Sequence, residues 1–151
     1  MEIKRVLYAA NREEPAYRLF EGLLPIRKMG VEEIILLSNN PPAVLREMLS
    51  NQGIKLRGVE VSGSLVSQIS HAAEREDVSL VVANIERERG GFFRTSTSKD
   101  LIKNTRLPLL LSYEDEREVR FAEKGIFESV VLATDWSAPA QRALDYMIGL
   151  K

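Results

Sequence analysis

Val6-Leu7-Tyr8-Ala9-Ala10-Asn11, near the start of the chain, returns near its end as Val130-Val131-Leu132-Ala133-Thr134-Asp135. The register continues without a gap. Pro15-Ala16-Tyr17-Arg18 falls on Pro139-Ala140-Gln141-Arg142, and Glu21 on Asp145. Each copy reads as a short apolar strand, a polar turn and the start of a helix. A repeat through three kinds of local structure exceeds the chance overlay of two apolar runs, and it governs how everything between the copies is read. It predicts one whole unit over residues 1–113, a charged linker over 114–125, and the first strand and helix of a second unit over 126–151.

Between the copies, strand and helix signals alternate. Ile3–Ala10, Ile34–Leu37, Leu56–Val61, Ser79–Ala83 and Leu107–Ser112 are short aliphatic runs of the kind found in strands buried on both faces. Glu13–Lys28 places Ala16, Leu19, Phe20, Leu23 and Leu24 at helical spacing, and Gly30 supplies a stop. Pro42–Asn51 is a helix opened by proline and closed near Gly53. Ser64–Arg75 sets Leu65, Ile69, Ala72 and Ala73 on one side, and Ser98–Thr105 is a shorter helix. Strands separated by helices pair in parallel through right-handed crossovers. The expected fold is therefore α/β: a three-layer, doubly wound, five-stranded parallel sheet of flavodoxin or Rossmann type, strand order 3-2-1-4-5. Val130–Thr134 and Ala138–Leu150 add an orphan strand and helix.

Composition narrows the function. The 151 residues carry a net charge of -1 and no block of five like charges, so neither a nucleic-acid footprint nor an anionic-membrane patch is indicated. No apolar run approaches the length of a membrane span, and Met1-Glu2-Ile3-Lys4-Arg5 lacks the apolar region of a signal peptide. The absence of cysteine removes disulfides, thiolate chemistry and cysteine-ligated metals. A cytoplasmic location is the expectation.

In open α/β sheets ligands sit beyond the carboxyl ends of the strands, where strand order reverses. The candidates are Ala9, Ala10, Asn11 and the following Arg12-Glu13; Ser38 with Asn39-Asn40; Ser62-Gly63-Ser64; and Ala83 with the segment Asn84–Ser98. That last segment holds Arg87, Arg89, Gly90, Gly91 and Arg94, then Thr95-Ser96-Thr97-Ser98 at a helix start. Free N–H groups and the helix dipole favour an anion there. A single hydroxyl capping the helix, beside solvated arginines, accounts for the same residues.

The chain resembles the universal stress protein family. Val131-Leu132-Ala133-Thr134-Asp135-Trp136-Ser137-Ala138-Pro139, followed by Arg142-Ala143-Leu144, is similar to that family's opening strand, turn and first helix. Val61-Ser62-Gly63 with Ile69 resembles the opening of its third helix, Val81-Val82-Ala83 its fourth strand and Leu107-Pro108-Leu109-Leu110-Leu111 its fifth. The resemblance implies a stress-linked regulatory module acting by nucleotide binding and dimerisation, not an enzyme. ATP-binding members carry Gly-x2-Gly-x9-Gly-Ser/Thr after the fourth strand. Counted forward from that strand, the glycine positions hold Asn84, Arg87 and Thr97, with Ser98 retained; counted back from Pro108, the motif's end falls on Thr95-Ser96. In neither register do the glycines survive, and Asn11 stands where the repeat has Asp135.

Two readings follow. In one the first unit is nucleotide-free and serves pairing and support. In the other, ATP or AMP is held by Arg87, Arg94 and the hydroxyls of Thr95–Ser98. A phosphorelay receiver would need acids after the first strand, an aspartate after the third and a lysine after the fifth; Asn11-Arg12-Glu13, Val61-Ser62 and Tyr113-Glu114 do not supply them. His71 is the single histidine, with no second histidine or cysteine to complete a metal site, and it reads as a surface or boundary residue. Glu114-Asp115-Glu116 reads as solvated linker. Trp136 reads as packing on a partner surface. Strand Val130–Thr134 begins a sheet this sequence does not finish. The expectation is that it lies along the first sheet or pairs with another chain, giving a homodimer through the C-terminal strand and helix.

Overall fold

The computed structural model describes residues 3–10, 27, 30–60, 62–86, 96–114, 130–132 and 134–148. Five strands, β1 (Arg5–Ala10), β2 (Glu33–Leu37), β3 (Lys55–Val59), β4 (Leu80–Glu86) and β5 (Leu109–Glu114), form one sheet ordered β3-β2-β1-β4-β5. Every neighbouring pair is parallel. The helices among the described residues are α1 (Ala43–Asn51), α2 (Leu65–Arg75), α3 (Ser96–Asn104) and α4 (Ala138–Ile148). The predicted helix Glu13–Lys28 lies outside the described residues, apart from Arg27.

The continuous apolar runs are explained by two cores, one on each face of the sheet. Val6, Tyr8, Ile34, Leu36, Leu56, Leu80 and Val82 face one way and meet Leu45 and Leu49 of α1. Leu7, Ala9, Ile35, Val59, Val81 and Ala83 face the other way and meet Ile69 and Ala72 of α2 and Leu101 of α3. Side chains along the strands alternate between the cores, and on the edge strand β3 the central Arg57 is charged and only partly buried. The chain winds outward from β1 to β3, then crosses back to β4. Right-handed crossovers in opposite directions put α1 and α2 on opposite faces.

Local chemistry sets the helix ends. Gly53, at φ +71, closes α1 and donates its N–H to Ser50 O at 2.8 Å, a conformation that costs glycine little. At the start of α2 the Ser64 hydroxyl accepts the Ser67 N–H at 3.3 Å. Where α2 ends, charges seal the core. Arg57 reaches Glu33 at 3.2 Å and Glu76 at 2.7 Å, and Arg75 holds Glu76 at 2.8 Å. Arg57 and Arg75 hold the Glu76 carboxyl below the usual carboxylate range, and Glu76 and Glu33 raise the Arg57 guanidinium against the opposing desolvation.

The structure corrects several expected boundaries. β4 runs to Glu86 rather than ending at Ala83, because Ile85 and Glu86 find partners in Tyr113 and Glu114 of a β5 that is displaced by two residues. Pro108 has no N–H to give the sheet; its carbonyl accepts the Val81 N–H at 2.9 Å, and the strand begins after it. β3 stops at Val59 instead of Val61, and α3 starts at Ser96 instead of Ser98. The largest difference is at the second copy of the repeat. Residues 130–132 and 134 form no strand and take no place in the five-stranded sheet. The expected alternative of lying along the first sheet is thereby overturned. Helix α4 does form, and its Tyr146 packs on the core that contains Val6 and Tyr8.

Candidate functional site

Strand order reverses between β1 and β4, and there the register sets Ala9 beside Ala83 and Ala10 beside Asn84. Ala9 and Ala83 are fully buried, so these two candidates line the floor of any crevice as backbone and methyl groups, with no side chain to offer a ligand. Asn84 is only 7% exposed, one of two buried polar residues among the described residues. On its far side it faces Ser112 of β5. Asn84 and Ser112 follow Val82 and Leu110 by two residues and share their face of the sheet. The carboxyl edge thus carries a row running Ala10, Asn84, Ser112.

The second buried polar residue is Ser98, 6% exposed, in the first turn of α3. It lies one turn before Leu101, which is fully buried, so both are turned toward the sheet. Thr97 is half-buried, and Ser96 opens the helix. The start of α3 therefore places a buried hydroxyl at the carboxyl end of the sheet.

Ser38 is not drawn into this row. Its N–H donates to Leu36 O at 2.8 Å, and its hydroxyl accepts the Asn40 N–H at 3.4 Å. Its carbonyl presses on β3: a Cβ added to Gly58 would meet Ser38 O at 2.2 Å and Pro41 Cδ at 2.7 Å. β3 lies on the side of β2 away from β1, so the Ser38 loop folds away from the crevice. Asp135 is held by local contacts. Its carboxylate accepts the Ser137 N–H at 2.9 Å in the turn that starts α4, and the Ser137 hydroxyl and N–H hold it below the usual carboxylate range. Asn11, Arg87 and Thr95, with Arg89 and Arg94, lie outside the described residues. His71 is exposed, as expected, and no group of metal-binding side chains occurs among the described residues. Sequence reasoning missed Ser112 and Gly58. Ser112 becomes relevant only through the β4–β5 register, and Gly58 only through the loop folded on it.

No protein-family model matches the chain, and no curated protein matches it. Solved structures do. The hypothetical protein MJ0577 is 18% identical with a TM-score of 0.58, over 77% of this chain and 99% of that one. A universal stress protein from Archaeoglobus fulgidus DSM 4304 is 23% identical with a TM-score of 0.57, over 76% of this chain. The fold is that of the universal stress proteins. The match covers only 45% of the Archaeoglobus chain, which is therefore more than one such unit long. The hypothetical protein PH0823, 23% identical with a TM-score of 0.50, is matched over 75% of this chain and 97% of that one. In this fold Ala9 and Ala83 lie at the ends of β1 and β4 on the face that α3 covers, and Asn84 lies on the opposite face.

Proposed function

We propose that this chain is a universal stress-type regulatory module whose first unit acts by pairing and support rather than by holding a nucleotide. The observation that carries this is the length of β4. By resemblance, the first glycine of the family's ATP loop falls at Asn84, where the backbone must turn and approach phosphate closely. Asn84 instead lies inside the strand, between Ala10 and Ser112, and two further residues stay in register with β5. Backbone committed to a ladder at that point is not available to wrap a phosphate. The role so proposed is non-catalytic and cytoplasmic, in a protein built of tandem units whose second begins at residue 126, with neither nucleic acid nor membrane as partner. No helix among the described residues is long and apolar enough to cross a membrane.

One observation favours a second reading. Ser98 keeps the hydroxyl of the motif and sits buried at the start of α3. In that reading ATP or AMP takes its phosphate contacts from the first turn of α3, with Arg87 and Arg94 supplying the charge that glycine backbone supplies elsewhere. Thermal melts with and without millimolar ATP–Mg²⁺ or AMP separate the two. A bound ligand at about 100 times its Kd adds roughly 2.7 kcal/mol, a rise of roughly 5–15 °C for a domain of this size. No shift is expected. A shift abolished by Arg87→Ala with Arg94→Ala would overturn the pairing role and establish the nucleotide site.

A further inference from the structure

Away from the carboxyl edge, the amino end of the sheet holds a closed group of charges. Arg5, Glu33 and Lys55 stand side by side at the starts of β1, β2 and β3, and Arg57 follows Lys55 by two residues, opposite Ile35. All four lie on the face that α2 covers, with Leu7 and Ile35. Glu33 meets Arg57 at 3.2 Å, Arg5 at 3.5 Å and Lys55 at 3.6 Å. Glu76, just past the end of α2, meets Arg57 at 2.7 Å and Arg75 at 2.8 Å. The Arg5 guanidinium also donates to the Glu76 carbonyl at 3.2 Å and pairs with Asp77 at 3.4 Å.

Burial is divided unequally within the group. The side chains of Glu33 and Glu76 are each 13% exposed, whereas those of the cations around them run from 37% for Arg57 to 72% for Lys55. The carboxylates are the enclosed partners, and among the described residues Arg57 is the cation that reaches both. Protonating them would leave Arg5, Lys55, Arg57 and Arg75 gathered around two neutral groups, with only the exposed Asp77 to offset them. Removing one sign from an enclosed pair is costly, because the other is left without compensation. The repulsion falls hardest on β3, which carries Lys55 and Arg57. In the sheet β3 has β2 as its neighbour, whereas β1 and β4 each have a strand on both sides. Local opening starts where the fewest strands hold the backbone.

We propose that Glu33, Arg57 and Glu76 form an acid-released clasp: protonation of the two carboxylates frees β3 and the end of α2 while β1 and β4 stay in the sheet. The direction follows from the partners. Arg57 and Arg75 hold the Glu76 carboxyl below its ordinary value of 4.5, so the clasp is intact above that pH and lets go as pH falls through the lower value in the folded chain. The device is independent of whether the first unit holds a nucleotide.

The test is amide exchange of the full chain, read along β3 and compared with β1 and β4, as pH is lowered from neutrality through 4.5. Wild type is compared with Glu76→Gln and with Arg57→Met combined with Glu76→Met. In wild type, protection along β3 is expected to be lost on acidification before protection along β1 and β4. In Glu76→Gln, where Arg57 and Arg75 lose their shared carboxylate, β3 is expected to exchange faster already at neutral pH. The double replacement removes both charges of one link, so β3 is expected to keep wild-type protection at neutrality and to lose less of it in acid. Protection along β3 that falls only together with β1 and β4 would overturn the clasp, as would a Glu76→Gln chain whose β3 matches wild type at every pH. The double replacement decides even where Glu76→Gln does not fold, since an acid loss along β3 equal to that of wild type would also overturn it.

Discussion

Val6–Ala10 and Val130–Thr134 are two readings of one pattern, and among the described residues only the first is a strand. Val6 and Leu7 lie between β2 and β4 with 1% and 0% of their surface exposed, while Val131 in the second copy is 95% exposed. Intrinsic preference is shared; neighbours are not. A strand lacks internal hydrogen bonds, so its pattern becomes structure only when another strand accepts its N–H and C=O groups. The helices following the pattern make the complementary point. α4 forms with its own internal hydrogen bonds, yet none of its residues is fully buried.

The contrast is broken most directly by matched truncations. Leu7→Ala is expected to cost about 2–5 kcal/mol, since the side chain is fully buried. Val131→Ala is expected to change stability by less than about 0.5 kcal/mol. Urea denaturation of both variants measures this, and similar losses would mean that the second copy is packed after all. A smaller effect is expected within the packed unit at Gly58→Ala. The added methyl would stand 2.2 Å from Ser38 O, which is backbone and has to shift, at a cost of about 1–3 kcal/mol in the same denaturation experiment.

A small effect is also expected where α4 docks. The Tyr146 hydroxyl is buried without a hydrogen-bond partner, and burial pushes its pKa from 10.0 up to about 12. The folded chain then holds this proton more tightly than the unfolded one. Its contribution is complete below pH 10 and is lost as pH rises through 12. Tyr146→Phe is expected to remove that alkaline loss and to change stability near neutrality by less than about 1 kcal/mol, in the favourable direction. Ultraviolet titration of wild type, with denaturation at each pH for both chains, would show it. Ionisation at the ordinary value would mean that α4 does not rest on this core.

Much of this was legible in the residues. The aliphatic runs located all five strands and their parallel order, because strands covered on both faces leave little room for polar alternation. Ala9, Ala10, Ala83 and Asn84 were placed at the reversal of strand order, where the structure has them. Strand ends were less legible. Ile85 and Glu86 are ordinary residues whose strand conformation depends on Tyr113 and Glu114 lying opposite. Ser38 read as a candidate because it follows a strand, but the close approach of its loop to Gly58 turns it aside. Ser112 gave no local signal, since its place beside Asn84 comes from a register set by residues far apart in the chain.

The sequence by itself determined the alternation of strands and helices, the two-faced core and the repeat, all of which follow from the spacing of apolar side chains. The tertiary structure decided how far β4 runs, which candidates share a sheet end and which copy of the repeat becomes a strand. Those outcomes depend on hydrogen bonds between distant segments. A residue's own chemistry fixes how many such bonds it can make, and the fold alone fixes with whom.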